Sequence, residues 1–377
     1  MTRPTLNIGL IGTGFMGKAH ALGFAAAPRV FDLTHDLALH TVADVTDAAA
    51  RSAARACGFA HHTADWRQMV ADPAIDIISI TAPNALHKEM SLAAIAAGKH
   101  VYCEKPLAPR AADALEMTLA AEAAGVKTQV GFNYLCNPML ALARQMIAAG
   151  ELGDIRGIRV IHAEDYMNDP AAPYTFRHDK AGGGALADLG SHALATAEFL
   201  CGPITRVLGD CVTMVTERPS PTGPKRVEVD DVGRAFLRFE SGATGSVEGN
   251  WLSTGRKMQH DFEVYGTRGA LAFSQEHFNV LNYFSTQDPK GRQGFRRIEA
   301  GPDHAPYGLF CVAAGHQLGF NDLKAIEVAG FVNAIGGRAP EPFGFRQGLR
   351  IQALVEAIQT SSRDERWISV QSGSPSV

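Results

Sequence analysis

Asp188 and His192 stand four residues apart, directly after the run Gly182-Gly183-Gly184. On a helix that spacing places both side chains on one face, a turn apart. A histidine titrates near neutrality, so it can take a hydroxyl proton while hydride leaves the same carbon. A second cluster, Glu104-Lys105-Pro106, closes the apolar run His100–Cys103. If that run is a strand of an open α/β sheet, Lys105 lies where such sheets bind ligands, outside the carboxyl ends of their strands. Its ammonium would stabilise a developing alkoxide, and a carboxylate such as Asp188 would orient substrate hydroxyls or the imidazole. Taken alone, such an Asp/His pair is more often a helix cap or surface pair, and Lys105 fits a solvated strand end equally well.

A third motif concerns phosphates. Gly12-Thr13-Gly14-Phe15-Met16-Gly17 follows the strand-like Leu6–Ile11 and opens a helix. In that context the first glycine allows a tight turn, the second lets backbone approach a pyrophosphate, and the third lets helix and strand pack closely. The free amides and positive end of the helix then hold the phosphates. Asp44 ends the next strand-like run, where a carboxylate accepts from both ribose hydroxyls and repels a 2′-phosphate. Val45 and Thr46 follow it, with no basic side chain, which favours NAD over NADP. Asp44 is also placed to cap a helix over Thr46–Arg55, so both readings stand at this point.

The elements that must position these groups fall into two patterns. Through about residue 132, apolar runs alternate with alanine-rich helical stretches: strands at Leu6–Ile11, His40–Asp44, Ile75–Thr81, His100–Cys103 and Lys127–Phe132, with helices to about Ala27 and over Ala48–Cys57, Ala85–Ala97 and Ala111–Ala124. That alternation predicts a doubly wound parallel sheet over 1–132. From 133 to 377 helices are expected at Pro138–Gly150, Leu186–Leu200, Leu323–Ile335 and Phe345–Ser361. Between them lie strand-like stretches at Ile155–Ala163, Thr205–Val215, Gly233–Glu240, Gly245–Trp251, Asp261–Tyr265 and Ala270–Phe273, two pairs of them joined by hairpin turns. This predicts an α+β domain on a large, mostly antiparallel open sheet. Asp165, Tyr166, Asn168, Arg177 and His178 supply the donors, acceptors and aromatic face of a sugar site, or are solvated loop polars. The segment His316–Asp322 is a candidate cover for the same pocket.

Composition excludes other classes. The chain has 377 residues, 46% hydrophobic and 20% charged, with a net charge of −4. That is the balance of a globular protein of two or three domains, with no electrostatic reason to bind nucleic acid or an anionic membrane. No apolar stretch approaches a membrane span, and the N-terminal residues lack a secretory core. Six widely spaced cysteines suggest neither a zinc site nor a disulfide framework, and the fourteen histidines show no metal-ligand spacing. A cytoplasmic protein with no metal is expected.

In combination, the glycine fingerprint with Lys18-Ala19-His20, Pro83-Asn84-x-x-His87, Glu104-Lys105-Pro106 and Asp188-x-x-x-His192 resembles the glucose–fructose oxidoreductase, inositol dehydrogenase and rhizopine-catabolism (Gfo/Idh/MocA) family over nearly the whole chain. The resemblance implies an NAD-binding Rossmann domain (1–132) and a substrate-binding, oligomer-forming α+β domain (133–377). It implies Lys105, Asp188 and His192 as a catalytic set, with His192 the acid/base. It places the cofactor on Gly12, Gly14, Phe15, Met16, Gly17, Asp44, Thr81, Pro83, Asn84, His87, Glu104, Lys105 and Asn133, and substrate on Lys105, Asp165, Tyr166, Arg177, Asp188 and His192. The implied reaction is oxidation of a secondary ring hydroxyl of a sugar, a levoglucosan-like anhydrosugar or an inositol-like cyclitol by a homodimer or homotetramer. Asp65-Trp66-Arg67, Phe132-Asn133-Tyr134 and Gly294-Phe295-Arg296 are similar to members with such substrates. Leu135-Cys136 and Ala195 depart from the arginines and aspartate common in relatives, on the expected substrate side. Dihydrodiol dehydrogenase, carbonyl reductase and a non-catalytic NAD-binding regulator are the alternatives the family offers, the last disfavoured by the intact catalytic set.

Overall fold

The computed structural model describes residues 3–371, in two compact units. One comprises the chain through Cys136 together with Gly319–Leu349; the other comprises Asn137–Leu318 together with the residues from Arg350. The expected boundary at 132/133 lies close to the first crossing. The later segment 319–349 joins the N-terminal unit because its helix Phe320–Ile335 shares a core with the first helix of the chain: Phe24, Ala27, Val328, Phe331 and Val332 are all buried in one cluster.

The N-terminal unit runs β1 (Thr5–Ile11), α1 (Phe15–Val30), β2 (Asp36–Ala43), α2 (Asp47–Cys57), β3 (His61–Thr63), α3 (Trp66–Ala71), β4 (Ile77–Ile80), α4 (His87–Ala96), β5 (His100–Cys103), α5 (Ala111–Ala124) and β6 (Thr128–Val130). Its six strands are parallel in the order β3-β2-β1-β4-β5-β6. The central strand β4 is buried at every position, as a sheet covered on both faces requires. β3 and α3 are elements the sequence did not announce: three residues at a sheet edge carry little pattern, and α3 depends on Asp65, whose carboxylate accepts from the amides of Arg67 and Gln68.

The second unit continues with α6 (Pro138–Ala148), β7 (Ile155–Ala163), α7 (Ser191–Cys201), β8 (Ile204–Val212), the short pair β9 (Glu217–Arg218) and β10 (Lys225–Arg226), β11 (Val232–Phe239), β12 (Thr244–Asn250), β13 (Gln259–Gly266), β14 (Gly269–Ser274), β15 (Val280–Ser285) and β16 (Arg296–Glu299). After α8 (Phe320–Ile335) and α9 (Phe345–Asp364), β17 (Ile368–Ser369) closes the list of strands. Nine strands form one sheet, β16-β15-β14-β13-β7-β12-β11-β8-β17, in which β7 and β12 pair in parallel and the other neighbours antiparallel. β15 and β16 extend it past the strands expected from sequence. Along β11, buried Ala235, Leu237 and Phe239 alternate with exposed Arg234, Phe236 and Arg238, so one face packs and the other lies open. Among the described residues no helix is long and apolar enough to cross a membrane.

The helix expected over Leu186–Leu200 begins as a π-turn, Leu186–Gly190, before α7 proper. A bulge of this kind re-aims side chains and recurs at functional sites. It sits against β12 through a glycine pair: a Cβ on Gly249 would lie 2.5 Å from the Gly190 nitrogen and 2.8 Å from the Ala185 oxygen. Gly249→Ala is therefore expected to cost about 1–3 kcal/mol of stability, read as a lower denaturant midpoint at unchanged slope.

Candidate active site

In the N-terminal unit the glycine turn is built for a close-lying ligand. Gly12 takes φ +92°, its amide donates to the Ala43 oxygen at 2.9 Å, and the Thr81 hydroxyl donates to its carbonyl at 2.9 Å. A Cβ on Gly17 would stand 2.1 Å from the Gly12 oxygen, so α1 can begin this close to the turn only with glycine there. At Gly14 a Cβ would meet nothing within 4 Å, and no side chain caps α1. The first amides of a helix without a side-chain cap, facing open space, suit a pyrophosphate. Asp44 directly follows β2: its Oδ2 accepts from the Thr13 amide at 3.0 Å and from the Thr13 hydroxyl. Thr46, and not Asp44, supplies the side-chain cap of α2. Phe15 is 74% exposed and stacks on Phe320 at 5.5 Å. Pro83 and Asn84 open the short turn before α4. Asn133 is buried, and its Nδ2 has no hydrogen-bond partner among the described residues, a donor suited to a polar ligand.

Two residues expected at the cofactor have buried partners within the unit. The His87 ring is fully buried, with Nδ1 2.9 Å from the Pro106 oxygen and Nε2 2.9 Å from the Ala82 oxygen. Burial pushes its pKa down, although both carbonyls favour the proton. It braces the two turns that carry Pro83 and Lys105, because a buried imidazole must spend its nitrogens on protein partners. Glu104, 5% exposed, likewise faces inward. Its Oε1 accepts from the Lys324 ammonium at 2.7 Å and sits 2.8 Å from His20 Nε2, while its Oε2 accepts from the Lys105 amide at 3.2 Å.

Lys324 centres a network that the sequence reading passed over. It is fully buried, and its Nζ also lies 3.0 Å from Glu327 Oε2, 3.0 Å from the Tyr102 hydroxyl and 3.2 Å from His20 Nε2. Burial works against the ammonium, yet Glu104 and Glu327 outweigh it and hold the pKa up. Burial would raise Glu104, but Lys324 and the His20 hydrogen bond hold its carboxyl well below the usual range. For Glu327 burial prevails and the shift is upward. His20 is pushed down to about 4 by burial and by Lys324, so it is neutral at pH 7.

In the second unit the expected polar residues separate into two groups. Tyr166 donates to Asp188 Oδ2 at 2.7 Å, and Arg177 Nε lies 3.5 Å from the same oxygen. Trp251, fully buried and donating from Nε1 to Asp231 at 2.7 Å, stands edge-on to the Tyr166 ring at 6.2 Å. Asp188 and Tyr166 thus form a part-exposed carboxylate–phenol pair with a guanidinium beside it. The start of the π-turn is held by Asp230, whose Oδ2 accepts from the Leu186 amide at 2.7 Å and whose pKa burial raises to about 6. The Asp165 carboxylate accepts from Lys257 Nζ at 2.6 Å and from the Gly255 amide at 3.0 Å, and the lysine holds its pKa down. These bonds tie the Gly255–Lys257 turn to Asp165. His178 is also internal, between Tyr174 and Trp251. His192, 5% exposed, meets two histidines absent from the expected site, His162 with ring centroids at 5.3 Å and His260 at 6.2 Å. Among the described residues, no three of His, Cys, Asp and Glu are set to hold a metal ion.

Against known proteins, residues 6–132 match the model of an oxidoreductase family with an NAD-binding Rossmann fold, and residues 140–272 match the GFO/IDH/MocA C-terminal domain. The levoglucosan dehydrogenase of Pseudarthrobacter phenanthrenivorans is 36% identical over 97% of this chain and 98% of that protein. A solved levoglucosan dehydrogenase in complex with NADH and levoglucosan superposes with a TM-score of 0.94 at 36% identity, over 98% of this chain and all of that one (100%). The myo-inositol 2-dehydrogenase of Thermotoga maritima is 26% identical over 71% of this chain and 74% of its own length.

Two outcomes test the buried network. Lys324→Met leaves carboxylates buried without their cation and should cost about 3–5 kcal/mol in urea unfolding, part of it recovered when Glu104→Gln is added. His20, held near 4 when folded but free to protonate near 6.5 when unfolded, contributes stability that is complete above pH 6.5 and lost as pH falls towards 4, by about 3 kcal/mol; His20→Asn should flatten that slope.

Proposed function

The chain belongs to the GFO/IDH/MocA oxidoreductase family, and from that premise we propose that it oxidises a secondary ring hydroxyl of a levoglucosan-like anhydrosugar or a related sugar or cyclitol. It is an NAD-dependent oxidoreductase of the sugar and cyclitol dehydrogenase class. NAD, when bound, supplies the hydride acceptor. The amides at the start of α1 and the Asp44 carboxylate are the groups assigned to hold it, at the pyrophosphate and ribose. Asp44 also disfavours a 2′-phosphate by charge and by occupying its space.

His192 is assigned the hydroxyl proton and Lys105 the partial negative charge on the reacting oxygen. Asp188 and Tyr166 are assigned to orient substrate hydroxyls, with Arg177 as a further donor. The observation that carries this assignment is Asp188: a carboxylate oxygen shared by a phenol and a guanidinium, at a π-turn that leads straight into the helix bearing His192. Such an arrangement fits a polyol, whose hydroxyls both donate and accept.

The open face of the nine-stranded sheet is assigned to a second copy of the chain. It carries a groove of about 990 Å³ lined by Phe236, 61% exposed, with arginine–glutamate neighbours Arg234–Glu248 and Arg159–Glu263 that can pair with their like across a two-fold axis. All six cysteines are free thiols, which accords with a cytoplasmic setting.

The test is NADH formation with levoglucosan, myo-inositol and a panel of monosaccharides, run in parallel with NAD⁺ and NADP⁺. Turnover of levoglucosan with NAD⁺ is expected, His192→Ala should lower kcat by about 10²–10⁴ with NAD⁺ affinity kept, and Asp44→Ala should narrow the preference for NAD⁺. Turnover of a cyclitol alone would redirect the substrate assignment, and an unchanged kcat in His192→Ala would remove the base. Light scattering should give a multiple of the chain mass, reduced by Phe236→Asp.

A further inference from the structure

Every turnover of the proposed reaction leaves one hydroxyl proton on the protein, and His192, which is assigned to take it, is 95% covered. Its surroundings are unusual for the interior of a sheet–helix layer. His162, 1% exposed, lies on β7 directly opposite Gly249 of β12 and His260 of β13. The rings of His162 and His192 are 5.3 Å apart, and those of His162 and His260 are 4.9 Å apart. His260 is anchored by the Thr196 hydroxyl at 2.9 Å, one turn beyond His192 on α7. His162 also meets a carboxylate: its Nε2 is 3.1 Å from Glu164 Oε1, and the Glu164 side chain is 21% exposed. Glu164 is itself fixed, its amide donating to the Asn250 oxygen at 2.9 Å and its carbonyl accepting from the Ser253 amide at 2.9 Å.

Burying three imidazoles costs free energy that an apolar trio at these positions would not. A metal does not account for them, since the set lacks ligand geometry. The titratable groups that face His162 are His192 from α7, His260 from β13 and Glu164 from β7's own end. Burial, and next to it His162, pushes the His260 pKa far down, while the His162 Nε2 lies within hydrogen-bond distance of Glu164 and its ring lies against His192.

We propose that His162 and Glu164 carry to solvent the proton that His192 takes from the substrate. The His192 imidazolium gives a proton to Nδ1 of His162 as the two rings close from their 5.3 Å centroid separation; His162 releases the proton on Nε2 to the Glu164 carboxylate; water takes it from there, and exchange with solvent through Glu164 returns His162 to its Nε2–H tautomer. One proton enters and one leaves, and His192 returns to its neutral form with no change in oxidation state at any of the three residues. His162 and Glu164 touch no reacting atom, so they are positioning residues. The inference rests on His192 being the base.

The test uses the full chain with levoglucosan and NAD⁺ in weak buffer, comparing the parent with His162→Gln, Glu164→Gln and Glu164→Asp. The two glutamine variants should lose at least tenfold in kcat, with KM for NAD⁺ unchanged and a larger solvent deuterium isotope effect. Added imidazole buffer should restore much of the loss, which it would not do for a variant that was merely loosened, and Glu164→Asp should recover part of it. If His162→Gln does not fold, Glu164→Gln at the solvent end decides. Full kcat and a parental isotope effect in the glutamine variants, with His192→Ala inactive, would overturn the relay alone. Full activity in His192→Ala would overturn the base assignment and the relay with it.

Discussion

An ammonium buried away from water obliges the chain around it to supply anionic and hydrogen-bonding partners, because a bare charge in that setting would be expelled or neutralised. Lys324 meets that demand with Glu104, Glu327, Tyr102 and His20, drawn from α1, β5 and α8. The consequence reaches the chemistry. Glu104 is held by the cation on one oxygen and receives the Lys105 amide on the other, so the backbone that carries Lys105 is fixed from beneath. Gly131 completes the arrangement, since a Cβ there would sit 2.4 Å from the Glu104 carboxylate. An apolar core at this place would pack as well but would leave the end of β5 without a hydrogen-bonded anchor.

The second unit uses polarity in a different way. Its sheet is apolar where it meets most of α7, with Ile158, Val160 and Val247 buried, and turns polar only around His162, His192 and His260. The π-turn that precedes α7 is held by Asp230 below and by the Gly190–Gly249 approach beside it. These two constraints set where Asp188 and His192 emerge, so the orientation of the polar groups follows from backbone packing. Side chains such as Tyr166 and Arg177 then refine it.

Much of this was legible in the sequence wherever local pattern and local chemistry agree. The parallel sheet, the glycine turn, Asp44 and the π-turn's polar residues follow from runs and motifs within a few residues of one another. The α+β unit was legible as strands, yet β15 and β16 were missed, because Val280–Ser285 and Arg296–Glu299 are short and lie beside polar loops. What local pattern does not carry is which partners a polar side chain finds. Glu104 and His87 look like ligand-facing groups beside Lys105 and Pro83, but their partners lie inside the fold, at Lys324 and at two carbonyls. Asp165 finds its partner in Lys257, a residue 92 positions away in the chain. Signals did exist for three of the residues overlooked: Lys324 and Glu327 stand at i, i+3 within the mostly apolar middle of α8, and His162 continues the inward alternation of Ile158 and Val160.

The grip of Thr13 on Asp44 has a bearing on protein engineering. The carboxylate is held on one oxygen by both the amide and the hydroxyl of Thr13, and on the other by the Val45 amide. Its rotamer is therefore set within the chain, and on the proposed assignment to the ribose little side-chain ordering entropy is lost on association. A redesign that replaces only Asp44, to admit a phosphorylated ribose, would strip the Thr13 donors of their acceptor and slacken the turn they belong to. Altering the redox currency of this scaffold is thus a problem of two positions, with residue 13 chosen to suit whatever takes the place of the carboxylate.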